Sequence, residues 1–181
     1  MSRIPYVPDL PGEGGDSELV ARIRARRGGS LLNLDRMLLN SPSFAHGWNT
    51  HLGAVRGELT LSPKLRELAV CAVAVLNGAD YEFGHHAPEL LRSGGTPAQV
   101  EALKTLHSGC DHPDVFDGLE LAVLRLTLEM TRNVEVADAT FESVRSQIGD
   151  ARQVVELVGV IATYNMVSRF LVALGVDPES H

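Results

Sequence analysis

Residues 66–86 read RELAVCAVAVLNGADYEFGHH, and the rest of the sequence is best interpreted outward from them. A charged pair, Arg66 and Glu67, opens an apolar run that continues to Leu76. An Asn-Gly pair breaks the run, and a polar cluster follows it: Asp80, Tyr81, Glu82, His85 and His86. Nowhere else in the chain do so many different ionisable groups lie against so apolar a run. If the protein performs chemistry, we expect it here.

The spacing within the polar cluster predicts a shared helical face. On a helix Glu82 is one turn from both His85 and His86, at positions i,i+3 and i,i+4. A carboxylate beside an imidazole can relay a proton, and each group shifts the pKa of the other where both are partly buried. Glu67 lies on the preceding segment, so only tertiary packing could bring it to this face. The alternative is a solvated Glu-His pair on the helix surface.

The remaining sequence predicts an all-α protein. No run alternates polar and apolar residues with a period of two, and apolar residues recur at helical spacing. Ser41, Ser62 and Thr96 each precede a proline, which is typical of a helix cap followed by the first helical position. Predicted helices cover approximately residues 16–28, 31–39, 42–57, 63–76, 80–92, 97–106, 115–131, 136–148 and 151–174. In the last helix the predicted core positions are Val154, Leu157, Val158, Ile161 and Val172.

Composition favours one domain preceded by a short arm. Residues 1–15 are rich in Pro and Gly and predict an extended N-terminal arm without a core of its own. The chain has 181 residues, so residues 16–181 suit a single domain.

The charge and the hydropathy of the sequence argue against nucleic acid and membranes as partners. The formal net charge is −7, from 16 basic and 23 acidic residues, which argues against nucleic acid as a partner. One basic cluster, Arg22, Arg24, Arg26 and Arg27, is interpreted as a solvated helix face. The apolar run 68–76 is too short to span a bilayer, and residues 1–15 contain no apolar segment of signal-peptide length. We therefore expect a cytoplasmic protein with no membrane partner.

The cysteines and histidines predict neither a metal site nor a cofactor. Cys71 and Cys110 do not form a Cys-x-x-Cys motif. Cys71 lies in the apolar run and is predicted to be a buried structural thiol, whereas Cys110 falls in a turn-like segment that predicts exposure. Glu82 and His85 form one Glu-x-x-His, but a di-iron bundle needs a second such motif and two further glutamates, and the chain has no second motif.

The central stretch resembles the carboxymuconolactone decarboxylase family, which includes the alkylhydroperoxidase AhpD-like proteins. The matching pattern is the Arg-Glu pair at 66–67, the Asn-Gly turn at 77–78 and Tyr-Glu-aromatic-x-His-His at 81–86. Flanking matches at 41–42, 61–63, 94–96, 164–165 and 169–170 extend the resemblance over residues 31–176. It implies an AhpD-like helical bundle of seven to nine helices with a helical-hairpin core.

The sequence departs from the redox members of that family. Those members carry a Cys-x-x-Cys, and the two cysteine places are held here by Ala79 and Glu82. Glu67 and His86 match the family's proton-relay glutamate and histidine. The resemblance therefore implies a branch that lacks the redox cysteine pair, since neither Ala79 nor Glu82 can supply a thiolate.

What the resemblance implies is acid/base chemistry, such as decarboxylation or a related lyase or isomerase step, on a small carboxylated lactone or cyclic acid. His86 would be the acid, Glu67 would orient or recharge it, and Glu82 would help to set its pKa. A cationic anchor for the substrate carboxylate is Arg66 or Arg169, and the alternative for Arg169 is a helix-end salt bridge. The predicted substrate-binding residues are Tyr81, His85, Tyr164, Asn165 and Arg169.

Two other functions stay open at this level. One is an alkylhydroperoxidase-like antioxidant oxidoreductase, which would have to work without the cysteine pair. The other is a non-catalytic oligomeric scaffold that keeps only the fold. The resemblance also implies association of identical subunits into a trimer or hexamer.

Overall fold

The computed structural model describes residues 1–9, 17–106 and 112–179. Within these ranges the chain forms nine α-helices and no strand, which confirms the all-α prediction. They are α1 Ser17–Arg27, α2 Asn33–Leu38, α3 Pro42–Gly57, α4 Pro63–Leu76, α5 Asp80–Arg92, α6 Pro97–Leu103, α7 Gly118–Arg132, α8 Asp138–Ile148 and α9 Ala151–Leu174. Cys110 and residues 10–15 of the predicted arm lie outside the described residues.

The chain divides into two compact units, Met1–Glu58 with Leu171–His181, and Leu59–Phe170. In the first unit, residues 1–9 have no helix or strand and are bound by hydrogen bonds. The amide of Arg3 donates to the carbonyl of Leu174 at 2.9 Å, and the amide of Asp177 donates to the hydroxyl of Tyr6 at 2.8 Å. The single domain over 16–181 stays a prediction.

The second unit is built around α4. Residues 67–74 of this helix are all buried, and five consecutive side chains from Leu68 to Ala72 have no exposed surface. Helix α4 packs against α5, α6 and α7, while α8 packs on α7. Three alanines on α4 keep its side chains small, which permits close helix approach. The predicted burial of Cys71 is confirmed.

A glycine turn folds α5 back onto α4. Asn77 is the C-cap of α4, and Gly78 follows it with φ of 63°. Only glycine adopts this left-handed conformation without steric cost, so the Asn-Gly pair ends α4 and starts a helical hairpin. The predicted bounds of both helices are confirmed.

Other boundaries differ from the prediction. Helix α7 begins at Gly118 rather than near residue 115, because Asp117 is its N-cap and forms a capping box with Glu120. The carboxylate of Asp117 accepts from the amide of Glu120 at 2.9 Å, and Glu120 accepts from the amide of Asp117 at 3.0 Å. Helix α6 ends at Leu103 and α8 begins at Asp138, so both are shorter than predicted.

Two of the three predicted caps do not work through their side chains. Ser41 and Ser62 occupy N-cap positions, but neither side chain makes a capping hydrogen bond. The hydroxyl of Thr96 does accept from the amide of Gln99, at 3.2 Å. One predicted core position was wrong: Val172 is 48% exposed, because it lies on the outer face of α9.

Helix α9 is the only helix in the described ranges that is long and apolar enough to cross a membrane. Its most apolar window has a mean hydropathy of 1.7, and half of that window is buried in the structure. One such helix is weak evidence for a span, since the core helix of a soluble protein passes the same test.

The caps give a first prediction. Replacement of Thr96 by Ala should lower the free energy of unfolding by about 1 kcal/mol, because it removes the only side-chain acceptor for the amide of Gln99. Ser62→Ala is the matched control and should change it by only a few tenths of a kcal/mol, since Ser62 makes no capping bond. Urea denaturation of both variants measures the difference, and equal losses would show that Thr96 does not cap α6.

Candidate active site

The helical hairpin brings a carboxylate and an imidazole together in the interior of the second unit. Glu67 lies in the first turns of α4 and His86 lies in the middle of α5. The Nδ1 atom of His86 is 2.7 Å from Oε2 of Glu67. Glu67 is 4% exposed and His86 is 9% exposed, so the contact is shielded from water. The tertiary contact that the sequence left open is therefore made.

Arg66 supports Glu67 from the adjacent position. Its Nε donates to Oε1 of Glu67 at 3.0 Å, and its side chain is largely buried. Burial would by itself raise the pKa of Glu67. Hydrogen bonds and positive charge from His86, and then from Arg66, outweigh burial and hold the pKa of this carboxyl below its ordinary value of 4.5. Glu67 is consequently an anion at neutral pH.

Glu82 is also buried, at 3% exposure, so the solvated-pair interpretation of Glu82 and His86 is wrong. Oε2 of Glu82 accepts a hydrogen bond at 3.1 Å from the hydroxyl of Ser168, which lies on α9 and has no exposed surface. The sequence analysis missed Ser168. The available signal was a small hydroxyl residue one helical turn after Tyr164 on a largely apolar helix.

The aromatic candidates occupy different environments. Tyr164 on α9 is buried at 1% exposure, and its ring packs edge-on against the ring of His86 with centroids 5.1 Å apart. Tyr81 is buried and packs against the exposed ring of His85 at 4.6 Å between centroids. Tyr164 therefore belongs to the surroundings of the imidazole, whereas His85 points to the surface.

Asn165 and Arg169 form a network of their own. The buried amide of Asn165 donates to Oγ1 of Thr131 at 3.0 Å and accepts from Nδ2 of Asn77 at 3.1 Å, so it joins α9 to α7 and to the end of α4. Arg169 is exposed and donates to the same amide oxygen at 3.0 Å. In the part of the chain that the structure describes, Arg169 makes no ion pair, so the helix-end salt bridge that was the alternative for Arg169 is not found.

The α4–α5 hairpin lies in the part of the chain that matches a known protein family. The model of the carboxymuconolactone decarboxylase family matches residues 42–123, which contain Glu67, Glu82 and His86. The central part of the chain, which includes α4 and α5, is thus similar to the carboxymuconolactone decarboxylase family. No protein of curated function matches the chain significantly.

Solved structures share the fold at low identity. A peroxidase-related protein with an alkylhydroperoxidase AhpD core from Ralstonia eutropha JMP134 has a TM-score of 0.81 at 21% identity, over 99% of this chain and 93% of that one. A peroxidase-related protein from Silicibacter sp. TM1040 gives 0.79 at 21% identity, over 99% and 94%. A cysteine-to-alanine variant of the debrominase Bmp8 in complex with 2,3,4-tribromopyrrole gives 0.77 at 16% identity, over 99% and 95%. These matches show that the fold is AhpD-like.

The one cysteine in the described residues is a poor redox group. Cys71 lies one helical turn after Glu67 on α4 and has no exposed surface. Burial raises the pKa of its thiol far above the usual range, and the negative charges of Glu67 and Glu82 raise it further. Cys71 is therefore a neutral thiol at physiological pH.

A metal centre would need several ligating side chains close together. Among residues 1–9, 17–106 and 112–179, no three His, Cys, Asp or Glu side chains are grouped so that they could hold a metal ion. Glu67, His86 and Arg66 place a carboxylate, an imidazole and a guanidinium in hydrogen-bond contact, an arrangement that can transfer a proton.

The lowered pKa of Glu67 predicts how stability depends on pH. The unfolded chain binds the proton of this carboxyl more tightly than the folded protein does, so the stabilisation is complete above about pH 4.5 and is lost as the pH falls through the folded pKa. In Glu67→Gln this contribution disappears, and the free energy of unfolding should fall less steeply below pH 4.5. Urea denaturation at a series of pH values measures both slopes.

The exposed Glu135 supplies the control for that measurement, because Glu135→Gln should keep the wild-type slope. Parallel curves for the wild type and Glu67→Gln would contradict the predicted ion pair.

Proposed function

We propose that the protein is an acid/base enzyme of the decarboxylase type, acting on a small carboxylated lactone or cyclic acid. The observation that supports this most directly is the buried contact of 2.7 Å between His86 Nδ1 and Glu67 Oε2. A histidine whose one ring nitrogen is bound by a carboxylate can deliver a proton from its other nitrogen, Nε2. The match of residues 42–123 to the carboxymuconolactone decarboxylase family model agrees with this chemistry.

The proposed step needs one positioned acid. As the bond between the substrate ring and its carboxylate breaks, carbon dioxide leaves and the electron pair passes into the substrate's own conjugated carbonyl system. The imidazolium of His86 then gives the Nε2 proton to the ring carbon and becomes neutral. A proton from water restores the imidazolium before the next cycle. No electron acceptor is required, because the electron pair released with carbon dioxide forms the new C–H bond.

Glu67 and Arg66 would keep this acid in the correct state. An anionic carboxylate at Nδ1 stabilises the imidazolium and fixes the orientation of its ring, as in other carboxylate–histidine pairs. The bond from Arg66 Nε to the other oxygen of Glu67, at 3.0 Å, favours the ionised form of that carboxylate. Glu82, which accepts the hydroxyl of Ser168, adds a second carboxyl group to the buried region around α5.

The proposed substrate-binding residues lie on α9 and at the start of α5. Tyr164 packs edge-on against His86 and offers an aromatic surface for a small ring. Arg169 is exposed and bonded to Asn165, so its guanidinium could bind a substrate carboxylate without first breaking an ion pair. Tyr81 and His85, which pack together at the start of α5, complete the proposed contacts.

The cellular location and the assembly of the protein can also be proposed. We propose that the protein works in the cytoplasm on a small-molecule substrate and assembles with identical subunits, as the family resemblance implies. The exposed side chains of Val155 and Met166 on α9, at 71% and 38%, support association because apolar surface is stabilised by burial.

The central test measures release of carbon dioxide from γ-carboxymuconolactone. We expect the wild type to release it and His86→Ala to lose at least about 100-fold in kcat, because the general acid is gone. Glu67→Gln should also lower kcat. His51→Ala is the control, since this exposed histidine lies on α3 in the other unit and should leave the rate unchanged.

The results of this assay distinguish the decarboxylase from the non-catalytic scaffold. Full activity in a folded His86→Ala variant would contradict the role of His86. If the wild type releases no carbon dioxide from this lactone or from other small lactones and cyclic acids, the decarboxylase proposal fails. The non-catalytic scaffold would then be the better interpretation.

A cysteine-free variant tests the peroxidase alternative, to which the peroxidase-related solved structures draw attention. The chain has two cysteines, so Cys71→Ala combined with Cys110→Ala removes every thiol. We expect this variant to release carbon dioxide at the wild-type rate, because the proposed step uses no thiol. Reduction of cumene hydroperoxide by the wild type that the cysteine-free variant loses would favour the peroxidase instead.

A further inference from the structure

The basic cluster at the N-terminus is not one uniform solvated face. Arg24 is paired with Asp9, its Nε lying 3.1 Å from Oδ1. Arg27 is paired with the buried carboxylate of Asp35, at 2.9 Å. Arg22 and Arg26 instead line a cavity of about 170 Å³ between α1 and α3. The cluster therefore divides into two arginines outside the cavity lining and two that line it, of which Arg26 also forms an ion pair of 3.5 Å with Asp35.

The cavity has an apolar floor and a polar rim. Leu19 and Ile23 on α1 form the floor and are themselves almost completely buried. Arg22 and Arg26 are one helical turn apart, so both guanidinium groups lie on the same side of α1. The facing side of the rim comes from α3.

Positive charge prevails at this rim. Nη2 of Arg26 donates to Oδ1 of Asn49 at 2.6 Å, which fixes the guanidinium, while Asp35 is 3.5 Å away and nearer to Arg27. Burial lowers the pKa of Arg26, and the positive charges of Arg27 and Arg56 lower it further against the single opposing charge of Asp35. A guanidinium remains protonated in proteins, so the group is charged.

The other groups at the rim of the cavity do not neutralise the positive charge of Arg26. Arg22 makes no ion pair with any residue in the described ranges, including Glu18 one turn before it. The imidazole of His46 lines the same cavity and adds hydrogen-bonding capacity rather than negative charge. A site with two arginines and no free carboxylate in its lining attracts an anion.

We infer that this cavity binds a short-chain monocarboxylate. Its carboxylate would lie between the Arg22 and Arg26 guanidinium groups, which match carboxylate geometry, and its short alkyl chain would lie on Leu19 and Ile23. The volume admits only a few carbon atoms beyond the carboxylate. All lining residues belong to the unit that contains Met1–Glu58, whereas Glu67 and His86 belong to the other unit. The inference is thus independent of the proposed decarboxylation.

Nuclear magnetic resonance of the ¹⁵N-labelled full chain can test the inference with butyrate, at constant ionic strength. We expect saturable shifts confined to α1 and α3, including the indole of Trp48, which is the only tryptophan and adjoins Asn49. A ligand of this size should bind with a dissociation constant on the order of 1 mM. Phosphate, which lacks the alkyl chain, and butanol, which lacks the charge, should each bind at least about tenfold more weakly.

Two variants complete the test. Arg22→Gln should weaken butyrate binding about tenfold, because it removes one charged donor from an exposed position where folding is not at risk. Arg145→Gln, an exposed arginine that pairs with Glu142 on α8, should bind like the wild type. The inference is overturned if butyrate causes no saturable shifts in α1 and α3, if Arg22→Gln binds as tightly as the wild type, or if phosphate or butanol matches butyrate.

Discussion

The buried hydrogen bond between Glu67 and His86 is the constraint on which the second unit depends. Two ionisable groups at 4% and 9% exposure are tolerated only if each compensates the other, and Arg66 supplies the additional bond that Glu67 needs. Removing one member of such a pair typically costs about 3–5 kcal/mol, because the partner is left charged and buried. The α4–α5 hairpin must therefore close in one register, and this register also produces the proposed acid/base site.

The apolar run on α4 makes that arrangement possible. Side chains from Leu68 to Ala72 are completely buried, so the helix is surrounded by its neighbours and its carboxylate at Glu67 is carried into the interior with it. The low dielectric of these surroundings strengthens hydrogen bonds to charged groups and penalises any that are unmade. It also explains Cys71, whose thiol is kept neutral beside two carboxylates. The buried surroundings of α4 thus strengthen the hydrogen bonds of Glu67 and disfavour ionisation of the Cys71 thiol.

Local signals predicted the helices well where a single residue type dictates the backbone. Gly78 at φ of 63° and the proline starts of α3, α4 and α6 fixed those boundaries. The predicted start of α7 was wrong because it followed the apolar pattern, whereas the Asp117–Glu120 capping box sets the first turn of the helix. The core position at Val172 was misjudged because hydropathy does not reveal which face of an apolar helix is covered.

The sequence by itself determined the all-α class, the α4–α5 hairpin and the identity of the candidate acid/base groups, because these follow from backbone preferences and from residue types at short spacing. The tertiary structure decided which groups meet. It paired His86 with Glu67, gave Glu82 a hydroxyl donor from Ser168 on the distant helix α9, and separated the arginines of α1 into paired and cavity-lining members. Contacts between residues 19 or 86 positions apart depend on how whole helices pack, and that packing is a property of the complete chain rather than of any segment.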